Sequence, residues 1–362
     1  WIETAPEEAM RQNIARLRDG FVGLDLSLYK SLNISDDKVS SERVSALCKQ
    51  ALETWDFDPW ELADACGGAP LRVLSEAMMD RFGLFSKLSI DRTKFRRLFT
   101  AAGDAYSSTL YHNQRHAADV LHASFHILTH GGADGDMSNL EILSLIIAAA
   151  FHDIGHPGVN SSFLRHTDHP LALMHDEEQQ QAACLEDYHA KVCLSLLTVD
   201  GLDIISHLKD EDQSLVRSIV TELIKETYMG RHQALINRVE AVGGACDVSQ
   251  SSHRRLFLDA VLHLADLSNV CKRWDLHIKW SHAVLSEFFS QGDLEASEGM
   301  AVSAHCVRDV RLGRTNQKNF IYTFVSPLCT LIASLNPKIK PLDERFQEQM
   351  KANYQRWAEL GY

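Results

Sequence analysis

Apolar side chains recur along the chain at three- and four-residue spacing in segment after segment, the period of helices that bury one face. No run of strict alternation flanked by hairpin turns accompanies them. The pattern therefore predicts an all-α protein, a compact multi-helix domain. Helices are expected from Glu141 to His152, where Leu143 to Phe151 is almost continuously apolar, and from Ser214 to Lys225, Arg254 to Leu267 and Asn319 to Ser334. The Gly- and Ser-rich stretches 131–138 and 243–252 read as loops between helices. The opening residues are more polar and end in Asn33-Ile34-Ser35-Asp36-Asp37-Lys38, an exposed connection that divides an N-terminal helical flank, 1–38, from the main domain, 39–362. No internal repeat or low-complexity tract is present.

Composition narrows the class. With 362 residues, 45% hydrophobic and 23% charged, the chain has globular proportions and can bury a sizeable core. A formal charge of −13 argues against nucleic acid or an anionic membrane as partner, so an anionic small substrate would need a local positive centre. The eight cysteines (Cys48, Cys66, Cys184, Cys193, Cys246, Cys271, Cys306 and Cys329) form no CxxC pair and read as free buried thiols of a reducing, cytoplasmic setting. No apolar stretch reaches the roughly 18 residues that a membrane span needs, and the first residues carry Glu3, Glu7, Glu8 and Arg11 where a signal peptide is apolar. Opening on Trp1, the chain is expected to be a piece of a longer protein whose regulatory or membrane-targeting parts lie elsewhere.

The chemistry gathers in three places. Tyr111-His112-Asn113-Gln114-Arg115-His116 sets two imidazoles four residues apart, which a helix would place on one face. Phe151-His152-Asp153-Ile154-Gly155-His156 repeats the spacing directly after an apolar helix and adds a carboxylate. Leu264-Ala265-Asp266-Leu267-Ser268-Asn269 ends another apolar helix on an acid that is costly to bury unpaired, so Asp266 asks for a cation. His116, His152, Asp153 and Asp266 form a mixed nitrogen and oxygen set suited to a divalent metal such as Zn²⁺, with positions left for water. If Asp153 spans two ions, the second would be held mostly by water, as Mg²⁺ or Mn²⁺ prefers. A hydroxide between them would be a strong nucleophile, since metal binding lowers the pKa of water toward roughly 7.

Singly, each feature has a plainer explanation. An HxxxH pair often marks surface or capped histidines, as the stripe His122, His126 and His130 is read here, and Asp266 alone could cap a helix or pair with an arginine. The specific signal is the order H, then HD, then D, each tied to an apolar helix, which is the pattern of the HD phosphohydrolase superfamily.

Within that group the chain resembles the mammalian-type (class I) 3′,5′-cyclic-nucleotide phosphodiesterases. The resemblance is carried by Tyr111-His112-Asn113 through Val120, His152-Asp153 through His156-Pro157-Gly158, His263-Leu264-Ala265-Asp266-Leu267-Ser268-Asn269, and Gln317 with Phe320-Ile321 and Pro327-Leu328. Weaker similarity runs from about Leu47 through Trp55-Asp56-Phe57 to the end. It implies a helical catalytic domain over 39–362 that hydrolyses cAMP, cGMP or both to nucleoside 5′-monophosphates, with two divalent metals, Zn²⁺ in the tight site and Mg²⁺ or Mn²⁺ in the other. It implies metal ligation by His116, His152, Asp153 and Asp266, with Asp153 touching both ions. His112 would be the general acid, and Glu186 would support that histidine and the metal waters. His156 and Thr221 would hold waters of the second ion. Gln317 would read the purine, Phe320 and Val284 would sandwich it, and Tyr111 and Asn269 would line the pocket, with Trp274 and His277 facing it.

The chain departs from the family pattern in three places. Gly155 stands where an acid is usual, Asn160 comes one place early, and Thr221-Glu222-Leu223 replaces Thr-Asp-Met. Two rivals remain, a nucleotidase of the same superfamily acting on monoesters and a non-catalytic cyclic-nucleotide sensor.

Overall fold

A computed structural model describes residues 8, 10–12, 14–15, 42–130, 132–174, 183–243, 246–335 and 340–360, and among these every regular element is helical. The longer helices are α1 (Glu42–Glu53), α2 (Pro59–Ala65), α3 (Pro70–Phe82), α4 (Arg92–Ala105), α5 (Gln114–His130), α6 (Asn139–Phe151), α7 (Ser161–His166), α8 (Cys184–Leu196), α9 (Asp210–Glu226), α10 (His232–Val242), α11 (Ser251–Leu267), α12 (Trp274–Ser297), α13 (Val310–Phe320), α14 (Ser326–Leu335) and α15 (Lys340–Leu360). No described helix is long and apolar enough to cross a membrane.

Helix α6 is the centre of the arrangement. It is apolar all round, every residue from Glu141 to Phe151 is buried, and it packs against α9 and α5. Its start is a capping box: Ser138 Oγ accepts from the Glu141 amide at 3.2 Å while Glu141 accepts from the Ser138 amide at 2.7 Å. Glu141 also accepts from Arg254 Nε at 2.9 Å, which ties α6 to α11. Helix α5 is buried from His116 to Leu128 and lies against α6, α11 and α3. The functional motifs sit where α5 begins, where α6 ends and where α11 ends.

Two expectations change in detail. His112 is not helical: Asn113 Oδ1 accepts from the amides of Arg115 (2.9 Å) and His116 (3.4 Å), capping α5 so that it begins at Gln114. Asn319 to Ser334 is not one helix, since α13 passes through a π-helical turn, Ile321–Val325, before α14. Pro327, which has no N–H for the preceding carbonyls, accounts for the widened turn. The stripe on α5 is structural, as the sequence reading has it, with His122 bonded to the Thr54 carbonyl at 3.1 Å and His126 to that of Ala51 at 2.7 Å.

The connection expected at 33–38, and most of the flank 1–38, lies outside the described residues. The described part of the flank rests on the core. Met10 is buried, Arg11 donates to Glu298 (2.7 Å) and Ser297 (2.8 Å) at the end of α12, and His169 bonds the Ile14 carbonyl at 3.3 Å. All eight cysteines are free thiols and seven are buried.

Candidate active site

His116, His152, Asp153 and Asp266 converge, each offering one ligand atom within 4.8 Å of the others. His116 Nε2 lies 3.0 Å from Asp266 Oδ1 and 3.5 Å from Asp153 Oδ2, and His152 Nε2 lies 3.1 Å from Asp153 Oδ2 and 3.4 Å from Asp266 Oδ1. The two Nε2 atoms face each other at 3.3 Å. His152 Nδ1–H donates to the Ala149 carbonyl at 3.0 Å, which leaves the Nε2 lone pair aimed into the cluster. Burial alone would raise both carboxyls, but the imidazoles outweigh it and hold Asp153 and Asp266 well below the usual carboxylate range. Burial alone would lower His152, and the two aspartates reverse that, pulling it well above the usual histidine value. The cluster thus demands positive charge at its centre. Ligand atoms about 3.0–3.5 Å apart are what a cation with bonds of about 2.0–2.2 Å requires, so the donor set fits a divalent metal.

His112 stands beside this cluster, in the backbone bend just before α5. Its Nδ1 is hydrogen-bonded to Glu287 of α12, whose other carboxylate oxygen accepts from the backbone amides of Tyr111 (2.9 Å) and His112 (3.3 Å). Burial disfavours the imidazolium, but Glu287, helped by Asp153 and Asp266, outweighs it and raises the His112 pKa to about 9. The imidazole is stacked on His156 with centroids 3.8 Å apart. His156 Nδ1 accepts from the Gly158 amide at 3.1 Å, so its proton is on Nε2. Burial together with His112 holds His156 well below the usual value and keeps it neutral.

The cluster opens into a cavity of about 610 Å³, within the usual range for small-molecule sites. Its wall holds Asp153, Asp266, His112 and His156, with Tyr111, Asn269, Val284 and Phe320 also on it. Asn269 Nδ2 donates to the Tyr111 hydroxyl at 3.0 Å. Glu186 and His189, both on α8, line the same cavity. Burial, with repulsion from Asp153 and Asp187, pushes Glu186 up to about 8, and its Oε2 has no partner. An orphan carboxylate oxygen on the cavity wall is a second sign that a cation or its water belongs there.

The sequence matches the family described as 3'5'-cyclic nucleotide phosphodiesterase over residues 111–346. The chain belongs to that family. It is 30% identical over 308 residues to 3',5'-cyclic-AMP phosphodiesterase 4C of Rattus norvegicus, covering 82% of this chain and 57% of the relative. It is 30% identical over 291 residues to the dual specificity calcium/calmodulin-dependent 3',5'-cyclic nucleotide phosphodiesterase 1C of Mus musculus, covering 80% and 40%. The chain therefore spans about half the length of these relatives. Its fold is that of the phosphodiesterase domain of the RhoPDE fusion protein from the choanoflagellate Salpingoeca rosetta, with a TM-score of 0.79, 24% identity and coverage of 88% of this chain and 98% of that one.

Several positions in this phosphodiesterase fold differ from the sequence reading. The carboxylate on His112 is Glu287, not Glu186, which lines the cavity without bonding that histidine. Glu287 shares a face of α12 with Val284 and Gln291, all on the cavity wall, and that three- and four-residue spacing was the available signal for its place on the helix. Thr221 is not on the cavity wall, and the neighbouring Glu222 pairs with Arg255 at 3.0 Å. The threonine on the cavity wall is Thr227, followed by Tyr228 and Met229. His189 was also missed. Its Nδ1 donates to the Ile154 carbonyl at 2.7 Å and its Nε2 points toward Asp153 Oδ1 at 3.8 Å, with burial lowering its pKa to about 4.

Gln317 is buried one turn before Phe320, with its Oε1 accepting from the Ser281 hydroxyl at 3.3 Å, and is not among the residues lining the cavity. Trp274 and His277 are not on the wall either, and His277 Nε2 accepts from the Trp357 indole at 2.7 Å. Gly155 is explained by geometry: its φ of +74° is left-handed, and a Cβ there would meet the Tyr188 hydroxyl at 2.8 Å. Asn160 caps α7 by accepting from the Phe163 amide at 2.9 Å.

Proposed function

We propose that the chain hydrolyses the 3′,5′-cyclic phosphate of a purine nucleotide, cAMP, cGMP or both, to the nucleoside 5′-monophosphate, and so ends a cyclic-nucleotide signal. The observation that carries this reading is the meeting, at a single cavity, of the His116, His152, Asp153 and Asp266 cluster with His112 held on Glu287. Zn²⁺ on the four-residue cluster and Mg²⁺ or Mn²⁺ on Asp153 toward Glu186 would neutralise phosphate charge and lower the pKa of water.

The chain's own groups do the rest. Glu287 engages Nδ1 of His112, so the proton on Nε2 is the one free to reach the substrate. When water attacks phosphorus and the P–O3′ bond breaks, the departing O3′ takes that proton. Neutral His156, stacked beneath His112, adds no competing positive charge. His156, Glu186 and, in place of Thr221, Thr227 would orient water around the second cation. Phe320 and Val284 would hold the purine between an aromatic and an aliphatic face, with Asn269 and Tyr111 along the wall and the Gln317 amide offering a donor and an acceptor to the base edge. Residues 39–362 would form the catalytic domain and 1–38 a flank packed on it. The free thiols support a cytoplasmic setting.

Purified protein with excess Mg²⁺ and either cyclic nucleotide is expected to yield the 5′-monophosphate alone, read by chromatography. Binding without turnover, or cleavage of monoesters in preference to the cyclic diester, would overturn the proposal in favour of a sensor or a nucleotidase.

A further inference from the structure

Asp119 and Trp55 lie in the stretches that carry the family resemblance, yet neither lines the cavity, and Lys272 is buried with them. Lys272 Nζ is 2.9 Å from Asp119 Oδ1, 3.2 Å from His122 Nδ1 and 3.8 Å from the centre of the Trp55 ring. Burial and the neighbouring ammonium keep His122 neutral, so its Nδ1 accepts while its Nε2–H donates to the Thr54 carbonyl. The Trp55 indole N–H donates to the Cys271 carbonyl at 2.9 Å. From α15, Asn353 Nδ2 donates to the carbonyls of Val270 and Lys272, each at 2.8 Å.

The placement of this network along the chain is informative. Asp119 is three residues after His116, on the adjacent turn of α5. Lys272 is six residues after Asp266, directly beyond the 3₁₀ turn Ser268–Cys271 that closes α11. We infer that the Asp119–Lys272 pair, roofed by Trp55, is a positioning device that holds the start of α5 to the end of α11 and so sets the separation of His116 and Asp266.

Metal sites tolerate errors of about 0.5 Å in their ligands, and His116 and Asp266 come from two separate helices. An ion pair this deeply buried is a poor choice for stability alone, because desolvation offsets much of its attraction and a packed apolar pair often does as well. What it supplies instead is a defined length and direction between two backbones. His122 and Trp55 use the remaining faces of the ammonium, so the lysine has one position available. The assignment rests on the proposed metal reading of His116 and Asp266.

The test is Zn²⁺ titration of the metal-free full chain, by calorimetry and by competition with a chromophoric chelator. It compares the natural chain, Asp266→Ala, the neutral double variant Asp119→Asn/Lys272→Gln, and Trp55→Phe, which leaves a smaller aromatic ring at that position and loses the N–H bond to the Cys271 carbonyl along with part of the face over Lys272. Folding is checked by far-ultraviolet circular dichroism and a cooperative melt. Zn²⁺ affinity is expected to fall at least tenfold in the double variant and severalfold in Trp55→Phe, with kcat reduced and KM for the cyclic nucleotide unchanged. Natural Zn²⁺ affinity and kcat in the folded double variant and in Trp55→Phe would overturn the inference. If the double variant does not fold, Trp55→Phe decides alone, and natural Zn²⁺ affinity there overturns it. Undiminished Zn²⁺ binding by Asp266→Ala would instead sink the metal reading itself, a distinguishable failure.

Discussion

The His112–Glu287 pair makes a claim that pH can check. His112 is raised from the ordinary 6.5 to about 9, so its proton is bound more tightly folded than unfolded. The pair's contribution to stability is accordingly complete below pH 6.5 and is lost as pH rises through about 9. For activity, the raised value keeps the imidazolium present across neutral pH. In Glu287→Gln burial acts with one fewer anion opposing it, so the basic limb of kcat/KM should move to lower pH, with a loss of roughly tenfold or more at pH 8 and much less at pH 6. A basic limb that does not move would show that Glu287 is not what keeps His112 charged. His112 was legible in the sequence because the Tyr-His-Asn motif is continuous. Its pairing with Glu287 was not, because that residue lies 175 residues away and only the packing of α12 brings it near.

At the scale of elements, the site depends on how helices stop. His152 follows the last residue of α6, and Gly155 turns the chain in the left-handed region so that Asp153 and His156 both reach the cavity. Gly155→Ala should cost about 1–3 kcal/mol for a non-glycine residue held at that φ, with the contact at Tyr188 added. Urea unfolding is the measurement. Adding Tyr188→Phe should recover only part of the loss, since it relieves the contact and leaves the backbone strained; full recovery would mean that φ is not the cost. Helix existence could be read from periodicity at Glu141, Ser214 and Arg254, since the apolar face persists through each segment. The π turn before Pro327 and the cap at Asn113 could not, because each is settled by one side chain within an otherwise helical pattern.

At the scale of the molecule, the proposed base pocket draws Tyr111, Asn269, Val284 and Phe320 from four separate stretches onto one wall. Because these groups are remote from the phosphate, Phe320→Ala should raise KM for cyclic nucleotides by about two- to tenfold, in line with a stacking contact of about 0.5–1.5 kcal/mol, with kcat nearly kept. Hydrolysis of a small diester without a base should be unchanged. Parallel loss on both substrates would make Phe320 a fold residue.

What the sequence by itself determined follows from its local patterns: an all-helical domain from the 3.6-residue period, and the metal-capable residues from short motifs in which neighbours in sequence are neighbours in space. Thr221 and Glu186 show the limit of that logic. Thr221 lies on α9 and Thr227 just past its end, both with hydroxyls bonded to the preceding turn, and only the placement of the helix puts Thr227 on the cavity wall and Thr221 off it. The partner of His112, the burial of Gln317 and the pairing of Lys272 with Asp119 were decided by tertiary structure alone, because each joins residues whose separation along the chain carries no local signal and whose contact exists only once the helices have packed.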